Sequence, residues 1–182
     1  MINIYKLKLT NLQQEILRVL FVKVGTSLNQ RGIANLLEVS QPAVMKAMPD
    51  LEKRDLVKIK QDKESKRWSI ELNRENHRVM QLKRVDNLRL IYESGLADFL
   101  EKEFAGGAII LFGSYSYGGD TTSSDVDIAI IGRKDKIINL TNYEKCMERT
   151  ININFYDSFK NIHKNLKENL CNGIVLAGGI DL

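Results

Sequence analysis

Gly113-Ser114, ten intervening residues, and then Asp125-Val126-Asp127 form the segment of this chain whose residue types and spacing point to chemistry. Side chains two apart on a strand share a face, so Asp125 and Asp127 project together while Val126 and Ile128 turn into a core. Two carboxylates a few ångströms apart repel, and holding them at the mouth of an apolar sheet is unfavourable unless a cation neutralises them. Magnesium suits such a pair, because it takes a few carboxylate oxygens together with substrate phosphates. The turn over residues 114–119 is polar and glycine-containing, and the free amides at the start of a short helix there favour a phosphate group. A paired aspartate beside such a turn is a site for a metal-bound nucleoside triphosphate.

The neighbouring pattern supplies the elements that hold these residues. Residues 108–112 are a continuous apolar run, expected as a strand buried on both faces and broken by Gly113. Residues 125–131 read as the next strand, and residues 150–155 alternate apolar and polar as a third. Phe159, Ile162, Leu166 and Leu170 predict the buried stripe of a terminal helix, and the glycine-rich tail from residue 173 is expected to pack on the sheet. Upstream, residues 75–93 lack proline and glycine, and Val79, Leu82, Val85, Leu88 and Ile91 recur at a spacing of three. This predicts a connecting helix of about five turns, followed by a shorter helix over residues 97–104.

Over about residues 96–157 the combined motif resembles the minimal nucleotidyltransferases of the DNA polymerase beta superfamily, whose signature is Gly-Ser, a spacer and Asp-x-Asp on the next strand. The resemblance implies that Gly113 and Ser114 contact a triphosphate, and that Asp125 and Asp127 are catalytic and bind the magnesium that positions it for in-line attack. Two departures matter. Tyr117 stands where the family often has arginine, and the expected position of a third carboxylate is taken by Asn152. Asp157 and Glu148 are the candidate substitutes for that missing acid.

The first half differs in pattern and charge. Residues 1–78 hold 15 Lys and Arg against 9 Asp and Glu, whereas the remainder holds 12 against 14. Thr10 and Gln13 form a capping-box signature before Leu12, Ile16, Leu17, Leu20 and Phe21, predicting a first helix that ends before Gly25. A second helix is expected over residues 29–38, and Ser40 caps a third that begins at Gln41 with Pro42 in its first turn. Val57 and Ile59, then Trp68, Ile70 and Leu72, alternate as the two strands of a hairpin. Over about residues 8–73 this order resembles the winged-helix family of DNA-binding domains. The resemblance places Gln41, Ala43, Lys46 and Gln30 toward DNA bases, and Lys60, Lys63, Lys66 and Arg67 as phosphate contacts of the wing. Pro49 falls where the third helix should continue, so an end near Met48 or a bend is expected there.

The expected fold class is α+β: an N-terminal winged helix (1–73), a connecting helix (74–95) and a nucleotidyltransferase-type mixed sheet flanked by helices (96–182). No apolar run suits a membrane span or signal peptide, so a cytoplasmic protein is expected. Cys146 and Cys171 form no Cys-x-x-Cys pair, and His77 and His163 stand apart from other zinc-type ligands. The leading expectation is a magnesium-dependent nucleotidyltransferase-like protein that binds DNA, as a homodimer reading two half-sites. Two alternatives stay open: a transcriptional regulator that senses a nucleotide without turnover, and an enzyme that adenylylates a partner protein.

Overall fold

The computed structural model describes residues 9–61, 63 and 68–180. The chain divides into two compact units, 1–79 and 80–182. Lys66 and Arg67, two of the expected wing contacts, lie outside the described residues. Among the described residues no helix is long and apolar enough to cross a membrane.

The first unit is built from α1 (Asn11–Val22), α2 (Gln30–Leu36), α3 (Gln41–Lys53) and a hairpin of β1 (Val57–Gln61) and β2 (Trp68–Leu72). Thr10 and Gln13 complete the capping box, each side chain accepting from the other's backbone amide. Gln13 is also buried, and its side-chain Nε2 donates to the Ala47 carbonyl at 3.3 Å and to Asp50 at 3.2 Å, fastening α1 to α3. Asn29 and Ser40 cap α2 and α3 through their side-chain oxygens. Ile16, Leu20, Ile33, Val44, Leu51 and Ile70 are fully or almost fully buried between these elements. An antiparallel bridge between Leu28 and Ile70 adds a partner to the hairpin that the alternation pattern does not announce.

Pro49 neither ends α3 nor stops it at Met48, because the helix runs on to Lys53. Pro49 is exposed while Ala47, Met48 and Leu51 are buried, so the helix gives up a backbone bond on its wet side. Water can satisfy the orphaned carbonyl there, and packing of the opposite face holds the helix together. At the corner into the wing, Asp55 has φ +59° and accepts from the side-chain amides of Asn73 and Asn76 at 2.8 and 3.1 Å. Those bonds tie the start of β1 to the end of β2.

The second unit contains most of α4 (His77–Glu93), then α5 (Leu96–Glu103), β3 (Ala108–Phe112), α6 (Gly113–Ser116), β4 (Val126–Ile131), α7 (Thr141–Met147), β5 (Ile151–Tyr156), α8 (Lys164–Cys171) and β6 (Ile174–Ala177). The sheet order is β5-β4-β3-β6, with β3 antiparallel to both neighbours and β4 parallel to β5. Ile109, Leu111, Val126, Ile128, Ile130 and Ile151 pack with Ile91, Leu96, Leu100 and Phe104. Ala108, Ile110, Phe112, Ala129 and Ile131 pack with Phe159, Ile162 and Leu170. Both faces of the central strands are therefore covered, which is why β3 carries no polar residue.

Two expectations fail in this unit. The residues from Phe159 to Leu170 do not form one helix: a 3-10 turn, Phe159–Asn161, precedes α8, although the predicted apolar residues still face one cluster. The buried line of α4 is not the three-spaced set either. Val79, Lys83, Asn87 and Ile91 are buried at a spacing of four, while Val85 is 66% exposed. With 3.6 residues per turn, a spacing of three drifts off any one face faster than a spacing of four. The expected packing of the tail is met by β6, which pairs with β3.

Candidate functional site

The site assembles at the end of the sheet where β3 finishes and β4 and β5 begin. Phe112 pairs with Asp127, and Asp127 pairs with Asn152, so three neighbouring strands bring the Gly113 turn, the second aspartate and the asparagine to one level. Val126, Ile128, Ile151 and Ile153 face one core cluster. By alternation Asp127 and Asn152 share the opposite face. Asp125 lies just before β4 and is exposed; the Asn152 amide donates from Nδ2 to its Oδ2 at 3.1 Å. Asn152 therefore stands beside both aspartates, and it offers Asp125 a donor instead of another negative charge.

Gly113 is required by this arrangement. Its φ is +69°, and a Cβ there would come within 2.6 Å of Asp127 Oδ2. Any side chain would strain the turn and press on the carboxylate at once. After Gly113, α6 is closed by the Ser116 hydroxyl donating to the Gly113 carbonyl at 2.8 Å and by the Gly119 amide donating to the Ser114 carbonyl at 2.9 Å. Ser114 is half-buried in this turn, and Tyr117, at the place of the family's arginine, is 60% exposed. The Thr121–Ser124 turn, in which each residue bonds the other, delivers the chain to Asp125.

Of the candidate substitutes for the third acid, Asp157 is excluded by position. It follows β5, five residues beyond Asn152, which at about 3.3 Å per residue puts it roughly 16 Å away along the strand at the far end of the sheet. Glu148 lies at the correct end and lines, with Asp125, Ser124 and Thr150, an open cleft of about 480 Å³. Among the described residues no group of three or more His, Cys, Asp and Glu gathers as a metal cluster. The acidic residues at the centre are the pair Asp125 and Asp127.

A buried polar network behind α6 is not visible in the sequence pattern. Asp120 is fully buried; one carboxylate oxygen accepts from Lys83 and from Asn87 Nδ2, the latter at 2.8 Å, and the other faces the Arg149 guanidinium at 3.4 Å. Asn87 Nδ2 also donates to the Tyr115 carbonyl at 2.9 Å, and Arg84 donates to the Ser116 carbonyl at 3.1 Å. Gly118, with φ +80°, lets this turn press on α4, since a Cβ would sit 2.8 Å from the Met80 carbonyl. Arg84 and Asn87 of α4 therefore hold the α6 backbone that follows Gly113 and Ser114, while Lys83 and Arg149 hold the Asp120 carboxylate to which Asn87 is also bonded. Burial pushes the Lys83 ammonium below its ordinary pKa, with the Asp120 charge opposing. The sequence signal for this network is weak: a polar pair four residues apart in line with Val79 and Ile91, and an aspartate inside the motif's spacer.

In the first unit, Gln41 and Lys46 are exposed on α3 and Ala43 is half-buried beside them; Gln30 is half-buried at the start of α2. Lys60 and Lys63 are exposed on the hairpin.

Three helices in this order, the third reached through a short turn, followed by the hairpin, define a winged helix-turn-helix unit. Residues 95–179 match the family model described as polymerase beta, nucleotidyltransferase. Among solved structures, the adhesin competence repressor AdcR of Streptococcus pyogenes is similar, with 25% sequence identity and a TM-score of 0.43, covering 57% of this chain and 72% of that one. The MepR–DNA complex of Staphylococcus aureus shows 22% identity and a TM-score of 0.39, covering 52% and 77%. A mutant form of ZitR from Lactococcus lactis shows 20% identity and a TM-score of 0.42, covering 56% and 66%. No curated protein matches the chain.

Proposed function

We propose that the chain is a DNA-binding protein whose second unit binds a magnesium-complexed nucleoside triphosphate and transfers the nucleoside monophosphate to an acceptor. The functional division follows residues 1–73, 74–95 and 96–182. What supports this reading above all is the gathering of Gly113, Asp127 and Asn152 at one level of three strands, with Asp125 bonded to Asn152. Asp125 and Asp127 would hold the metal, whose chemistry is to neutralise and orient the phosphates. Two carboxylates with substrate phosphates are a fitting donor set for Mg²⁺. Gly113 keeps the turn clear of Asp127, and Ser114 presents a hydroxyl to the phosphates. In the transfer, the acceptor oxygen bonds to the α-phosphorus, the bond to the bridging oxygen breaks, and pyrophosphate leaves. Incubation with labelled ATP, CTP, GTP and UTP plus magnesium tests the proposal: label appears in nucleic acid, in the chain or in a partner protein, and no label with any of the four removes the transfer reading.

A second reading rests on Asn152. A neutral ligand that donates to Asp125 weakens the position that would activate an acceptor, which favours a regulator sensing nucleotide without turnover. Adenylylation of a partner protein is the remaining use, and labelled protein with unlabelled nucleic acid distinguishes it.

Gly113→Ala is expected to remove most of the thermal stabilisation given by magnesium and triphosphate, and to cost the apo unit about 1–3 kcal/mol through backbone strain. Melting curves with and without ligand measure both. An undiminished ligand shift would mean that the turn does not approach the phosphates.

DNA engagement by the first unit is supported by the exposed face of α3 and by Lys60 and Lys63 on the hairpin. Changing Lys60 and Lys63 to alanine is expected to weaken binding by a similar factor on every duplex, and to reduce the salt slope by roughly one unit per lost phosphate contact. Mobility-shift titrations across salt concentrations read this directly, and an unchanged slope would take both lysines off the phosphates. The homodimer belongs to the same proposal, since two half-sites one helical turn apart call for two recognition helices. Light scattering of the chain and its DNA complex decides it.

A further inference from the structure

The outward face of α3 has an unusual composition for a helix that reads bases. Over its first three turns the exposed residues are Gln41, Pro42, Met45, Lys46 and Pro49, with Ala43 half-buried among them. The Ser40 hydroxyl is committed to the Ala43 amide, from which it accepts at 3.3 Å. No arginine, asparagine, aspartate or glutamate stands among these exposed positions. Pro42, Ala43, Met45 and Pro49 instead line a shallow concave surface, with Lys46 at its edge, and Met45 is 50% exposed.

Major-groove chemistry narrows what such a face can recognise. Guanine is read best by a bidentate arginine or lysine at O6 and N7, and cytosine by a carboxylate accepting from N4. No arginine stands among the exposed positions, Lys46 is the side chain there that could meet a guanine, and the Asp50 carboxylate next to Pro49 is engaged by Gln13 and Arg54. Thymine alone presents an apolar group in the groove, its C5-methyl, and adenine is the natural partner of a glutamine amide through N6 and N7. The surrounding charge fits the same occupant, since residues 1–78 carry an excess of basic residues and Lys46, Lys60 and Lys63 are exposed.

We propose that α3 recognises A·T base pairs, packing thymine C5-methyl groups into the surface formed by Pro42, Ala43, Met45 and Pro49 while Gln41 pairs with an adjacent adenine. This rests on the DNA-binding reading of the first unit and adds the class of sequence bound. Lys46 supplies attraction to the backbone or to a flanking purine, and the methyls supply discrimination.

The test begins with selection of bound duplexes from a random library using the full chain. Enriched sites are expected to contain runs of A·T pairs at the α3 half-site. In the best site each thymine is then replaced by uracil, which removes one methyl and keeps every hydrogen-bonding group. At a contacted position affinity is expected to fall about fourfold, the factor that corresponds to burying one methyl-sized carbon. Met45→Ala, a change at a half-exposed position, is expected to bind the thymine site more weakly and to respond less to uracil. Gln41→Ala is expected to relax the preference for adenine at one position. Enrichment of G·C-rich sites, or affinities indifferent to uracil, overturns the proposal while leaving DNA binding intact. Failure to shift any duplex at low salt overturns the DNA reading itself, and this proposal with it.

Discussion

Asp120→Ala is expected to destabilise the second unit by about 3–5 kcal/mol, the usual cost of stripping the counter-charge from a buried ion pair. Asp120 and Lys83 have no exposed side-chain surface, and the Arg149 side chain is 2% exposed. Alanine would leave two cations facing each other in a region that water does not reach. With domain stabilities of roughly 5–15 kcal/mol, such a loss approaches the whole margin. Lys83→Met should be much milder, because Asp120 keeps Asn87 and Arg149 as partners and a linear apolar side chain fills the space. Denaturant titration followed by circular dichroism compares the two. A loss under about 1 kcal/mol for Asp120→Ala would show that the pair is hydrated in solution.

The same network carries a pH signature. Because burial lowers the Lys83 pKa below that of the unfolded chain, the unfolded state binds more protons between the lowered and the ordinary value. Stability therefore rises with pH across that interval and is flat below it. Surface lysines titrate nearby, so the useful quantity is the difference between wild type and Lys83→Met, which should widen in the wild type's favour as the alkaline side is approached.

The combined change Asp125→Asn and Asp127→Asn is expected to abolish magnesium-dependent nucleotide binding, a larger loss than the roughly 10- to 100-fold that follows when only a partner supporting a metal ligand is removed, since among the described residues no third acid joins this pair. Asn152→Asp should behave in the opposite way. In the wild type the Asn152 amide donates to Asp125. An aspartate there would replace that attraction by repulsion in the absence of metal, lowering apo stability, and would offer a third anionic ligand once metal is bound. Nucleotide affinity should stay similar, magnesium should stabilise the variant more than the wild type, and any transfer rate should rise about tenfold or more, the scale on which metal-site surroundings act. Calorimetry with a non-hydrolysable triphosphate and a transfer assay with Mg²⁺ and Mn²⁺ separate binding from turnover. Brisk wild-type turnover that Asn152→Asp slows would mean that Asn152 serves the reaction as an amide, and attention would move to Glu148, which lies at the same end of the sheet.

Much of the fold around the site is legible in the chain itself. An apolar pentad, a glycine at its end and aspartates two apart are local signals: strand burial, a positive-φ turn and a shared face follow from covalent geometry, without knowledge of the remainder. Alternation in residues 150–155 likewise fixes which side chains of β5 turn away from the core, and Asn152 is one of them. The caps at Thr10 and Ser40 act within three residues of themselves, and both stand in the structure.

Other features depend on partners distant in sequence. Lys83 and Asp120 are 37 residues apart, and Arg149 and Asp120 are 29 apart. A lysine on a helix reads as solvated until an aspartate from another element is known to meet it, which is why the three-spaced apolar residues of α4 mislead about its buried face. Pro49 carries a local cost, whereas the packing of Met48 and Leu51 decides that α3 continues. Asp157 looks close to Asn152 along the chain, yet a strand carries successive residues apart at its full rise, and the sheet sets them at opposite ends. Types, turns and faces were determined by the sequence because they arise from neighbouring atoms. The buried charge network and the choice among acids were decided by the tertiary structure, because electrostatic cost depends on what surrounds a charge.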